Sequence, residues 1–205
     1  MKFLSSSSLT GRDVNTLFSL NSGNDPVQSV SNIYRLYEND EISGESVHEF
    51  TSDIRGIRNT ETTQVGLSRV IEKVGNSQLT LGNYRGIKFE VKVASDTVKS
   101  GRRIDFLSKE VTTDAGSTEI DMKTKGGDLI EIKSGGRLAS ANAGSEPYGE
   151  LSTQIAKYKQ YREESGLAGD VTVTLGKEPS KDVQNRLARK NVKCLYYSGG
   201  KRRSC

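Results

Sequence analysis

The chain has no tryptophan and one histidine, His48, in 205 residues. Chemistry built on a histidine base would have to pass through "ESVHEF", a polar stretch with the character of a surface helix. Two cysteines, Cys194 in an apolar run and Cys205, cannot make a zinc site without histidines beside them, and little is expected of them. Apolar runs are short. None approaches the roughly 18 residues of a membrane span, and "MKFLSSSSL" lacks the apolar stretch of a signal peptide. The expectation is a protein that does not engage a membrane and is made in the cytoplasm; a toxin domain delivered into a target cell's cytoplasm would carry the same signature. What remains for chemistry is carboxylates, Lys, Ser, Tyr and a hard metal ion.

Hydrophobic residues make up 33% of the chain and charged ones 27%, with both signs mixed, which suits a folded and very soluble protein. The net charge of +4 is unevenly spread. Residues 1–85 carry 8 basic and 10 acidic side chains, whereas residues 86–205 carry 22 and 16. A basic second part that keeps a tight acidic cluster is what a metal-using phosphodiesterase needs, cations for phosphates and carboxylates for the metal.

Helical spacing runs through 27–38, 45–56 and 61–74, where Val65, Leu67, Val70, Ile71 and Val74 recur on one stripe, and Asp25-Pro26 is a good helix entry. These predict a helical N-terminal lobe over 1–82. Residues 82–101 read two ways, with Phe89, Val91 and Val93 alternating as in a strand and Ile87, Val91, Ala94 and Val98 sharing a helical stripe. Strands are predicted at 102–111, 118–124 and 129–134, with turns at 114–116 and Gly126-Gly127. A long loop, a helix over 150–164, a strand in "DVTVTLG", a capped helix in "SKDVQNRLARKN" and a strand in "VKCLYYS" follow, before a basic tail at 201–205. The order predicts an α/β fold around a mixed sheet.

Within "TEIDMKTKGGDLIEIKSG", strict alternation would put Ile120 and Met122 on one face and Glu119, Asp121 and Lys123 on the other, while Ile130 and Ile132 oppose Glu131 and Lys133. A two-residue turn at Gly126-Gly127 would send the two polar sets to opposite faces. A three-residue Lys125-Gly126-Gly127 loop, with one Gly in a left-handed conformation, places Asp121 opposite Glu131 instead. Carboxylates so placed, with Cβ atoms about 5 Å apart, repel unless a cation joins them. Two such carboxylates with the backbone carbonyl of Ile132 are hard oxygen ligands suited to Mg²⁺ or Mn²⁺, and Lys133 on the same face stands where it can steady a water or a transition state. Asp105, on the preceding strand, is a rival acid.

From about residue 85 to 197 the order of these elements, with Asp121 followed by "EIK" at Glu131 to Lys133, resembles the PD-(D/E)XK nuclease superfamily, although Ile120 stands where many members have the proline. The resemblance implies a restriction-endonuclease-like α-βββ-α-β core at 83–200 after the helical lobe. It favours a helix over 86–99 and adds Glu90, in "GIKFE", as a metal or water ligand. It also matches Gln154 and Tyr158 of "TQIAKYKQY" to the Q-x-x-x-Y motif of one nuclease branch. The texture is similar to the nuclease domains of polymorphic toxins and to repair nucleases.

The resemblance therefore implies a metal-dependent endonuclease with Asp121, Glu131, Lys133, Glu90, Gln154 and Tyr158 at its site, and DNA is expected ahead of RNA. Two alternatives stand beside it: an RNA- or tRNA-cleaving toxin of the same fold restrained by an acidic immunity protein, and a non-enzymatic nucleic-acid-binding module. Arg102, Arg103, Lys123, Lys125, Arg137, Lys157, Lys159, Lys201, Arg202 and Arg203 are the candidate phosphate contacts. Substrate binding, homodimer contacts and capping of the core stay open as roles for residues 1–82.

Overall fold

The computed structural model describes residues 10–19, 26–58, 64–76, 78–142 and 144–205. Asp25 and residues 61–63 of the expected helix starts lie outside them, as do the side chains of Val65 and Ile71. Two compact units divide the chain at 102/103.

The first unit is helical: α1 (Gly11–Phe18), α2 (Pro26–Glu38), α3 (Gly44–Arg58), α4 (Gln64–Gly75) and α5 (Leu81–Lys99). Helix α1, for which no signal was read, begins with a capping box between Thr10 and Asp13. Asp13 is fully buried and takes hydrogen bonds from Thr51 at 2.6 Å and Arg55 at 3.0 Å, with His48 at 3.0 Å, so one carboxylate clamps α1 to α3. Burial alone would raise its pKa, but the bonds from His48, Thr51 and Thr10 outweigh that and hold it well below the usual carboxylate range. Asn32 of α2 donates to the carbonyls of Val74 and Asn76, which the end of α4 leaves without helical partners.

Residues 82–101 resolve the two-way reading in favour of helix. Thr80 caps α5 through the amide of Asn83, and the ring of Tyr84 meets Phe50 edge-on at 5.7 Å. The expected boundary at 82/83 therefore moves to 102/103, because α5 packs with α3 and α4 rather than opening the second unit.

The second unit is an α/β fold on one six-stranded mixed sheet, ordered as in the chain: β1 (Ile104–Thr113), β2 (Gly116–Thr124), β3 (Leu129–Lys133), β4 (Val171–Leu175), β5 (Lys193–Ser198) and β6 (Lys201–Ser204). The first three are antiparallel, β3, β4 and β5 run parallel, and β6 turns back on β5. The parallel crossovers are α6 (Glu146–Glu164) and α7 (Lys181–Arg189). Leu151, Ile155 and Tyr158 of α6 and Val183 and Leu187 of α7 share one buried cluster with Leu129, Val171, Val173 and Leu175 of the sheet, so both helices cover the same face.

Two expectations change here. Residues 201–205 are not a tail: Gly199 and Gly200, at φ 55° and 74°, form a tight two-residue turn, and Cys205 is disulfide-bonded to Cys194. The cysteines, of which little was expected, thus fasten the last strand. Strict alternation also fails on β2. Ile120 belongs to the helix-side cluster and Met122 does not, while Lys123 lies over the ring of Phe106, a member of that cluster. The β1–β2 pairing passes from Leu107–Met122 to Lys109–Ile120 across Ser108, which is buried at φ 46°, and the strand faces reverse at that point.

Candidate active site

The β2–β3 loop is the odd-length one that the shared acidic face requires. The amide of Thr124 meets the carbonyl of Asp128 at 3.0 Å, leaving Lys125, Gly126 and Gly127 in the loop, with Gly127 at φ 87°. Asp128 ties the loop down by accepting from Thr124 and from the amide of Asp170. Pairing continues through Lys123–Leu129 and Met122–Ile130, and the next position in that register sets Asp121 opposite Glu131.

There the strands fork. Beyond Met122 the β3-side edge of β2 faces α6 instead of a strand, and α6 side chains take over its backbone groups. The Tyr158 hydroxyl accepts the Asp121 amide at 2.8 Å and donates to the Glu119 carbonyl at 3.1 Å. Gln154, one turn earlier on the same helical face, donates to that carbonyl at 3.2 Å, and Lys157 reaches the Ser117 carbonyl at 2.9 Å. On the other branch of the fork, the Asp121 carboxylate accepts the Ile132 amide at 2.7 Å. Because a strand residue sends its amide and carbonyl to the same side, the Ile132 carbonyl is directed into the fork as well.

Glu131 is the unusual group. Its side chain is fully buried, and neither of its oxygens accepts a well-formed hydrogen bond from any described residue. The Lys133 ammonium is 2.6 Å from Oε1 as an ion pair, and Lys133 itself is half-exposed at the rim. Tyr158 stands close by, but its single proton is committed to Glu119. Burial first, then the charges of Asp121 and Glu131, push that phenol well above its ordinary ionisation range. The Lys133 ammonium offsets part of the cost of burying that carboxylate, of order several kcal/mol, and leaves Oε2 without a hydrogen-bond donor among the described residues.

No family model, no curated protein and no solved structure matches this chain.

The donor set suits a hard divalent ion: carboxylates from Asp121 and Glu131, a carbonyl at Ile132, and no soft ligand in the fork. Among the described residues no cluster of three or more acidic, His or Cys side chains accompanies them, so water or substrate oxygens would complete the coordination, as Mg²⁺ commonly requires. Glu90 belongs to the first unit, on α5, with Lys73 at 3.3 Å. The rival Asp105 is engaged elsewhere, by Lys123 at 2.9 Å and Lys125 at 3.4 Å, and the Lys123 hydrogen bond holds its carboxyl below the usual range.

Of the candidate phosphate contacts, Lys123 and Lys125 are thus paired with an acid, Lys157 is spent on Ser117 and Lys159 on the Lys190 carbonyl. The role of the Glu119 carbonyl, which receives both Gln154 and Tyr158, was not anticipated. The i, i+4 spacing of those two side chains was its only signal.

Proposed function

We propose that this chain is a metal-dependent nuclease of restriction-endonuclease-like fold, hydrolysing phosphodiester bonds at the fork between β2 and β3. The observation that carries the reading is Glu131, a buried carboxylate that lies, like Asp121, one position beyond the last β2–β3 pair, with the Lys133 ammonium on one oxygen and no hydrogen-bond donor among the described residues on the other. A bound Mg²⁺ or Mn²⁺ would supply Lewis-acid polarisation of the phosphodiester and a lowered pKa for the attacking water. Asp121 and Glu131 would hold the ion, and Asp121 is itself held by Tyr158 and the Ile132 amide. Lys133 donates hydrogen bonds at the rim, to the attacking water or to the charge that builds on phosphorus. Gln154 and Tyr158 keep the fork open at the right width.

DNA is the proposed substrate, in line with the mixed basic surface of residues 86–205; RNA, with an acidic immunity protein as partner, is the competing substrate reading. The test incubates supercoiled plasmid, single-stranded DNA and total RNA in parallel with Mg²⁺, Mn²⁺ or chelator. Glu131→Gln should lose cleavage by at least about a hundredfold, with a melting temperature no lower than that of the parent chain. Undiminished cleavage by that variant would exclude the site.

A further inference from the structure

We propose that the β5–β6 hairpin is a binding surface for the phosphodiester backbone of a nucleic acid, which it grips through Lys201 and Arg203. The proposal extends the nuclease reading to how the polymer is held. It starts from the lateral register of the sheet. Lys133 pairs with Leu175, Leu175 with Tyr196, and Tyr196 with Arg203. Residues paired across neighbouring strands point to the same face, so Arg203 stands on the face that bears Lys133. It lies three strands away, about 14 Å at ~4.8 Å per strand, beyond Leu175 and Tyr196, which pack on the side of the sheet that α6 and α7 cover. Lys201 is two residues from Arg203 and shares its face, whereas Arg202, paired with Tyr197, points to the other.

Charge and rigidity support this surface. Lys201 and Arg203 are exposed, and among the described residues no acidic side chain pairs with either. Charged side chains on an edge strand, Lys above all, also deter sheet-to-sheet pairing. This one is basic throughout, over Lys201, Arg202 and Arg203. The Gly199-Gly200 turn and the Cys194–Cys205 bond hold the main chain that carries both cations, so little backbone freedom is lost when they meet an anion. The cations lie beside the carboxyl ends of the parallel strands β3, β4 and β5, the end of an open α/β sheet at which ligands gather.

The experiment measures binding of the full chain to a fluorescein-labelled oligodeoxynucleotide, its duplex and the RNA of the same sequence, in chelator, across a salt series. Binding is read without metal, so it succeeds or fails independently of cleavage. The double variant Lys201→Gln with Arg203→Gln should shrink the log–log salt slope by about 1.4 on a single strand and about 1.8 on a duplex, two charges' worth. Arg202→Gln should leave the slope unchanged, and Lys201→Arg with Arg203→Lys should retain it, which separates lost charge from a disturbed hairpin. An unchanged slope in the double variant, an equal loss in Arg202→Gln, or binding to phosphatidylglycerol vesicles in place of all three oligonucleotides would overturn the proposal.

Discussion

The hydroxyl of Tyr158 sits between two backbone groups of β2, taking the amide of Asp121 at 2.8 Å and giving its proton to the carbonyl of Glu119. A side chain on α6 thereby does what a strand would do, and the acid at the fork is positioned by its own main chain. Tyr158→Phe keeps the ring and strands the Asp121 amide in a buried place. The expected loss of stability is about 1–3 kcal/mol, read as a lowered urea midpoint with unchanged slope. Cleavage should fall in the same variant, while Gln154→Ala, at an exposed bond to the Glu119 carbonyl, should cost less on both counts.

Asp105 and Asp121 make opposite forecasts. Asp105 is paired with two lysines, so Asp105→Asn should leave the metal dependence of cleavage as it is. Asp121→Asn removes a proposed ligand and should lower cleavage by about a hundredfold or more. Assaying both variants over a Mg²⁺ titration distinguishes them, and the reverse result would move the site one strand over.

Two glycines of the second unit differ in what a methyl group would meet. At Gly169 a Cβ would lie 2.1 Å from the carbonyl carbon of Gly127 and 2.3 Å from the Asp128 amide, all rigid backbone. Gly169→Ala should therefore cost at least ~3 kcal/mol or prevent accumulation of folded protein. Gly149, in the first turn of α6, has open space around it. There Gly→Ala should stabilise by roughly 0.5–1 kcal/mol, and paired thermal melts report both.

High pH should loosen the fold through its buried phenols. Burial pushes Tyr84 up to about 12, helped by the charge of Glu49 and opposed by a hydrogen bond with Ser46. An unfolded tyrosine ionises near pH ~10. Above that pH the unfolded chain releases a proton that the folded chain retains, so stability present below pH ~10 declines as pH climbs toward 12, by about 1.4 kcal/mol per unit. Tyr158, also raised, adds to the decline in the same direction. Denaturation at stepped alkaline pH should show a shallower decline for Tyr84→Phe.

The hairpin at the site was legible because side-chain parity is unforgiving: only an odd loop puts Asp121 and Glu131 in one register, and Gly126-Gly127 supplies the left-handed residue it needs. The parallel half was legible too, since "DVTVTLG" and "VKCLYYS" are apolar strand runs separated by a capped helix. Less legible was the reversal on β2. It turns on Ser108, a residue whose positive φ is imposed by its surroundings and carries no signal in composition. Residues 82–101 fit both periods because their apolar side chains are spaced for either, and packing with α3 and α4 decided for helix. Helix α6 begins four residues before the expected start, with Pro147 inside its first turn, the place that a proline tolerates. Lys201 to Ser204 looked like solvated tail because strand patterns are sought in apolar residues, although Gly199-Gly200 was a usable hairpin signal.

The cystine joining positions 194 and 205 gives the sheet a dependence on its redox surroundings. Such bonds endure where oxidants prevail and are opened by the thiol pool of a cytosol. In the first setting the terminal strand is covalently locked to its neighbour; in the second only the hydrogen-bonded ladder retains it, and that edge of the sheet becomes easier to peel.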